Sequence, residues 1–216
     1  MVNILNIHTA TETAIINLMA GPEILGTLTN HETRRHASFL HTAIKVLLQQ
    51  EGIDKKNLAA IGVTAGPGSY TGIRVGLATA MGLSYALKIP LLTFNTLEII
   101  AGSAISLAKE PQALYCPMID ARRMEVYTAV YNYDMEEIIT PSAIVLNDNS
   151  FPEIPASQKL FFSGSGSNKF QLISKYTHAI FLDQEISTES IAKIAWDTYL
   201  KNDFNNVPYA KPLYIK

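Results

Sequence analysis

IGVTAGPGSYTGIRVGLATAMGLSYAL, residues 61–87, decides the fold. A short apolar, β-rich run at 58–63 enters the tight loop Gly66-Pro67-Gly68-Ser69, and the loop opens into a helix-compatible segment ending near Leu87. Lys88 and Pro90 supply stop signals for that helix. Ser69 is the predicted N-cap, because its hydroxyl accepts from an unpaired N–H of the first turn. Pro67-Gly68 suits the central positions of a type II turn, with positive φ at Gly68. A glycine-rich strand-to-helix turn is also an anion-binding shape. The nucleotide motifs nevertheless fail. Counting from Gly66, the Gly-Lys-Ser/Thr places of a P-loop hold Thr71, Gly72 and Ile73, and Gly66-x-Gly68 is followed by Thr71 where a dinucleotide fingerprint needs glycine. Arg74 near the helix start either meets an anion or stays a solvated or partner-paired arginine.

The helix carries two rows of small residues at four-residue spacing. Gly72, Gly76, Ala80 and Ser84 form one; Ala78, Gly82 and Ala86 form the other. Glycine inside a helix costs roughly 1 kcal/mol relative to alanine, so a compensating close approach of another backbone is expected. Two readings stay open. The first row packs inside its own lobe, or it docks a second protein.

At 216 residues the chain is long enough for one large domain or two small ones. Hydrophobic content of 48% and charged content of 17% point to a folded globular protein. A net charge of −2 is not that of a stand-alone nucleic-acid binder. One cysteine, Cys116 in an apolar run, excludes an internal disulfide framework and suits a reducing compartment. No signal peptide or membrane span is read, so the expected location is the cytoplasm.

Three strands at 2–7, 14–20 and 23–29 precede a helix at 34–50, whose apolar face includes Phe39, Leu40, Ala43, Ile44, Leu47 and Leu48. A strand at 58–64, the glycine-rich helix and a strand at 91–94 follow. A helix capped near Asn95 runs to about Lys109. The strand-rich pattern then returns at 114–119, 124–131 and 136–140, with short strands at 160–162 and 179–182, a weak helix between them to about Tyr176, and a last helix from about Ser187 to Lys201. Three strands, helix, strand, helix, strand matches one lobe of an actin-like, ribonuclease H-like α/β fold; strict alternation would have suggested a Rossmann sheet. The expected lobes are 1–98 and 99–216.

Chemistry-bearing residues are sparse. His36 and His41 lie about 140° apart on a helix and do not share a face. The five histidines read as surface or capping groups, and no metal or cofactor is expected. Cys116 reads as a buried, inert thiol. No Gly-x-Ser-x-Gly elbow is present. Gly164-Ser165-Gly166 reads as a loop before a helix, or as an approach to a nucleotide. In Asp120-Ala-Arg-Arg-Met-Glu-Val-Tyr127, Asp120 suits a turn bonded to its own backbone, and Arg122 and Arg123 suit phosphate or carboxylate binding or a structural turn.

The stretch AGPGSYTGIRVGLATAMGLSYALKIPLLTFNTLEIIA, residues 65–101, resembles the signature of the TsaB (YeaZ) family. Asp120, Arg122, Arg123 and Tyr127 match a second family motif, and the tail resembles the family's Pro-x-Tyr-Leu-Arg ending. The resemblance implies an actin-like ATPase fold and a non-catalytic subunit for threonylcarbamoyl modification of tRNA. It implies pairing with a TsaD-like transferase, a TsaE-like ATPase as further partner, and tRNA met only indirectly. It makes Gly72, Arg74, Gly76, Ala80 and Ser84 the expected partner surface, with self-pairing as a homodimer when the partner is absent. His8 stands where relatives often carry an aspartate near nucleotide and Mg²⁺, which speaks against an autonomous ATPase. An actin-fold small-molecule kinase and a glycoprotease-like metallopeptidase are the alternatives, separated by nucleotide titration and metal analysis.

Overall fold

β1 (Asn3–His8) and β2 (Ala14–Ala20) are buried along their whole length, because they lie inside a sheet covered on both faces. A computed structural model describes residues 1–32, 36–148, 150–205 and 207–215. β3 (Glu23–Asn30) pairs antiparallel with β2, and β2 with β1. α1 (His36–Gln50) follows; its expected start at Arg34 lies outside the described residues. A 3₁₀ turn at Lys55–Asn57, capped by Asp54, delivers the chain to β4 (Leu58–Gly66), which runs parallel to β1. α2 (Tyr70–Leu87) crosses back, and β5 (Leu91–Asn95) pairs parallel with β4. The sheet order is β3-β2-β1-β4-β5.

The second unit repeats this plan. After α3 (Thr96–Ala108) come β6 (Leu114–Asp120), β7 (Glu125–Tyr131), β8 (Glu137–Val145), β9 (Leu160–Ser163), α4 (Ser167–Gln171) and β10 (Ala179–Leu182). Its order, β10-β9-β6-β7-β8, is the first sheet's order read from the other edge. Strand alternation divides its core. Tyr115 and Phe161 face α3 and stack at 5.4 Å, whereas Cys116, Met118 and Phe162 face the aromatic cluster of Phe151 and Phe170. Both units share the five-strand order, with three antiparallel strands first and β9-α4-β10 repeating β4-α2-β5, while α1 has no counterpart among the described residues between β8 and β9. This is the actin-like, ribonuclease H-like fold.

Two elements depart from the sequence reading. β8 runs through Pro141 to Val145 rather than stopping at Thr140, because it is an edge strand, where a missing N–H costs no ladder bond. α4 ends at Gln171 rather than near Tyr176. The compact units are Met1–Thr96 with Thr188–Leu213, and Leu97–Ser187 with Tyr214 and Ile215. The chain therefore divides close to position 98, but the linear split 1–98 and 99–216 misassigns α5 (Thr188–Leu200). That helix packs on β1, β2, β3 and β5. Asn17 Nδ2 donates to the Thr188 carbonyl, on the sheet face opposite the one where Ile16 and Leu18 meet α1 and α2. No helix among the described residues is long and apolar enough to cross a membrane.

α2 explains its own glycines. Gly72, Gly76, Ala80 and Ser84 are the buried face of the helix. A methyl group on Gly72 would sit within 3.0 Å of the Thr9 carbonyl oxygen, and one on Gly76 equally close to Thr9 Oγ1. The close backbone is thus the turn between β1 and β2. The row expected to meet a partner is covered by the chain's own lobe and is not a free docking surface; of the five residues named for that role only Arg74 is exposed. A methyl group on Gly82, in the other row, would meet no heavy atom of a neighbouring element within 4 Å. Gly76→Ala should therefore lower the unfolding free energy by about 1–3 kcal/mol, through overpacking against Thr9. Gly82→Ala should raise it by up to about 1 kcal/mol, through helix propensity alone. Urea unfolding of the two variants checks the contrast; equal effects would contradict it.

Candidate functional site

The turn between β1 and β2 and the loop between β4 and α2 close on each other. The Ser69 amide donates to the Ala10 carbonyl at 2.7 Å, and Thr9 Oγ1 donates to the Gly72 carbonyl at 2.7 Å. Ser69 caps α2 as its type predicts, accepting from the Gly72 amide at 3.2 Å. Gly68 has φ 152°, a region that favours glycine, and it abuts the Ala10 carbonyl. The positive φ agrees with the sequence reading, but the type II geometry does not: φ there lies near +80°, and the Gly66–Pro67 bond is cis. The loop is shaped by the backbone it covers, not by a free reversal. Of the amides at this helix start, that of Ser69 goes to Ala10, and those of Gly72 and Ile73 go to Ser69.

His8 ends β1 and is wholly buried. Thr11 Oγ1 donates to the Thr13 carbonyl at 3.2 Å, so it accepts from His8 Nε2 at 2.8 Å. Nδ1 then accepts from Thr64 Oγ1 at 2.9 Å. Both ring nitrogens are thereby used in a neutral imidazole. His36 is also buried; its Nε2 donates to the Thr11 carbonyl at 3.2 Å, and its Nδ1 accepts from Asn30 Nδ2. The reading of His8 and His36 as surface or capping groups is thus corrected: they fasten the β1–β2 turn. Burial, reinforced by nearby His36, pushes the His8 pKa down to about 3. Mg²⁺ with a nucleotide does not fit at His8, since the imidazole is sealed and both its nitrogens are bonded to threonines.

The equivalent place in the second unit is the end of β6. Asp120 stands there as His8 stands on β1. Asp120 Oδ1 accepts from the Arg122 amide at 2.6 Å, the backbone-bonded turn its type suggested, and from Lys169 Nζ at 2.6 Å. The Asp120 amide donates to Ser165 Oγ, and the Gly166 amide donates to the Met118 carbonyl. Partial burial pushes the Asp120 carboxyl up, but Lys169 and the Arg122 amide bring it below the usual carboxylate range. Arg122 and Arg123 are exposed at the turn. Tyr127 points instead into the α3-facing core, so the family motif does not gather into one site. Cys116 is buried with its thiol pushed up to about 12, as an inert residue should be. Among the described residues no three metal-ligating side chains converge.

Outside these turns, the outward face of α2 carries exposed Tyr70, Arg74, Ala78, Gly82 and Tyr85, with the Arg74 guanidinium 3.8 Å above the Tyr70 ring. Beside it, a groove of about 480 Å³ is lined by Leu5, Ile44, Leu48, Ile53, Leu58 and Leu83.

Comparison with known proteins fits this arrangement. The family described as "TsaD: tRNA N6-adenosine threonylcarbamoyltransferase" matches residues 23–203. Curated relatives of similar length carry the name TsaB. The Bacillus subtilis tRNA threonylcarbamoyladenosine biosynthesis protein TsaB is 30% identical over 67% of this chain and 63% of its own length. The Escherichia coli protein of the same name is 27% identical over 99% of this chain and 94% of its own. The chain belongs to the TsaB (YeaZ) family. YeaZ from Pseudomonas aeruginosa shares the fold at a TM-score of 0.87 and 24% identity, over 99% of this chain and 100% of that one. The match to the Bacillus relative spans just under two thirds of that protein's length.

Three elements of this TsaB-family site were out of reach of the sequence: the threonine clamp on His8, the Thr9 bond to α2, and Lys169 against Asp120. Thr64 lies 56 residues from His8 and Lys169 lies 49 from Asp120, so no local pattern signals either pair. The buried imidazole has a measurable consequence. Between the His8 folded value near 3 and its ordinary value of 6.5, the unfolded chain binds the extra proton. Stability from neutral His8 is complete above about pH 6.5 and is lost as pH falls toward 3, by up to about 1.4 kcal/mol per pH unit. Between pH 7 and pH 5, wild type should lose about 2 kcal/mol more than His8→Gln. Parallel urea-unfolding pH profiles for the two proteins would contradict this.

Proposed function

We propose that this chain is a non-catalytic subunit in the biosynthesis of threonylcarbamoyladenosine on tRNA, pairing with a TsaD-like transferase and working with a TsaE-like ATPase. The observation that carries the non-catalytic part is the sealed end of β1. The place where an actin-fold enzyme needs an exposed acid holds a buried imidazole with both nitrogens bonded to threonines. The same observation disfavours a small-molecule kinase. His8 and His36, the histidines that meet at one turn, are buried with their ring nitrogens already hydrogen-bonded, which disfavours a metallopeptidase.

The names of the TsaB relatives supply the pathway, and the match to a family described by its TsaD transferase supports a TsaD-like partner. The outward face of α2 is the surface offered to it. Tyr85 is 74% exposed and Tyr70 59%. Ala78 and Gly82 between them let another helix approach closely, and the neighbouring groove, which Leu83 shares with His41, Lys45 and Lys55 as well as apolar side chains, extends the face. A second copy would use this face when the partner is absent. The net charge of −2 leaves most of the affinity for tRNA to the partner.

The test is co-purification with the cognate TsaD-like protein, followed by reconstitution of tRNA modification. Ala78→Arg with Gly82→Arg should weaken pairing at least ten-fold and abolish modification, while melting at the wild-type temperature. A folded double variant that still pairs and supports modification would refute the surface. A wild-type chain that neither pairs nor supports modification would refute the function.

A further inference from the structure

The two lobes treat the same turn in opposite ways. In the first, the turn after β1 is buried at Thr9 and Ala10 and sewn to α2. In the second, the turn after β6 is pinned from beneath and open above. Its pins are the Asp120 carboxylate on the Arg122 amide, Ser165 Oγ on the Asp120 amide, and Lys169 Nζ on Asp120. The turn closes through the Ala121 amide to the Glu125 carbonyl and the Glu125 amide to the Arg122 carbonyl. None of these bonds uses an arginine side chain.

The arginines are therefore not what holds the turn. Arg122 and Arg123 sit at φ 71° and 49°, a region that non-glycine residues visit at a cost. Glycine or asparagine would occupy both positions more readily. Among the described residues their guanidinium groups make no hydrogen bond or ion pair. Of the two carboxylates that flank them in sequence, Asp120 is already matched by Lys169, and Glu125 is only half-exposed. Two adjacent unspent guanidinium groups on a rigid turn have the chemistry of a phosphate contact. Arg122, Arg123 and Met124 are all exposed at the tip. That suits an extended phosphodiester backbone better than a nucleotide, which is normally enclosed in a concave pocket.

We propose that the Arg122–Arg123 turn is a direct contact for the phosphate backbone of RNA. This rests on the functional reading above, which brings tRNA to the complex, and goes beyond it by giving this acidic chain an RNA contact of its own. The contact is weak alone and adds to that of the partner.

The experiment measures binding of an unmodified tRNA transcript to the full chain by fluorescence anisotropy, from 50 mM salt upward. Arg122→Gly with Arg123→Gly should melt no lower than wild type, since glycine accepts these φ values. It should bind tRNA at least ten-fold more weakly at 50 mM salt, with the salt slope reduced by about 1–2. Lys55→Ala with Lys56→Ala removes the same charge from an exposed site on the first unit and should change affinity less than three-fold. Arg122→Asn with Arg123→Asn repeats the test should the glycine pair melt early. Undetectable tRNA binding by wild type at 50 mM salt overturns the proposal. So does unchanged affinity in a folded arginine variant, or an equal loss in the lysine control. Loss of tripolyphosphate binding with tRNA binding retained overturns it in favour of a nucleotide site. The readout uses neither partner nor modification activity, so its failure is distinct from failure of the functional reading.

Discussion

The contact between the β1–β2 turn and the glycine face of α2 sets the rest of the first lobe. Two central strands, β1 and β4, end side by side, and the chain must leave both without stranding their polar groups. Bonding the Ser69 amide to Ala10 and the Thr9 hydroxyl to Gly72 meets that need. It requires backbone to lie against backbone, and only residues without a side chain at positions 68, 72 and 76 leave the space. Glycine in the helix costs about 1 kcal/mol per residue, offset by buried bonds that would otherwise be unsatisfied.

This contact also bears on function. A glycine-rich turn before a helix is a common anion site because its amides are free. Here the Ser69, Gly72 and Ile73 amides are bonded within the lobe, and the buried imidazole of His8 closes the end of β1. Closing one side of α2 against its own lobe leaves the opposite side, from Tyr70 to Tyr85, as the face the helix presents outward. The second lobe keeps the same supersecondary plan and leaves its own turn open. The repeat has thus diverged into a sealed turn and a charged one.

Much of the architecture is legible in the chain. Strand and helix order, the Ser69 cap, the inert Cys116 and the Asp120 turn all follow from local chemistry. What was not legible has physical causes. Both rows of α2 are small at four-residue spacing, so periodicity alone cannot say whether Gly76 or Gly82 faces inward. Pro141 reads as a strand end because nothing nearby in sequence reveals that β8 is an edge. The assignment of α5 to the first lobe depends on contacts such as Asn17 with Thr188, 171 positions apart. His8 reads as a departure from the family pattern, but its partners come from a neighbouring strand and from a turn whose fold is itself the result.

Hydrogen exchange at the Ser69 amide reports on the closure of α2 against the β1–β2 turn. This amide donates to Ala10 only if the glycine face of α2 is already closed against the β1–β2 turn. It should be protected in the isolated chain, and equally protected after the TsaD-like protein is added. Open-loop exchange in the isolated chain, with protection gained only on adding that protein, would contradict it, because the glycine face would then be the docking face.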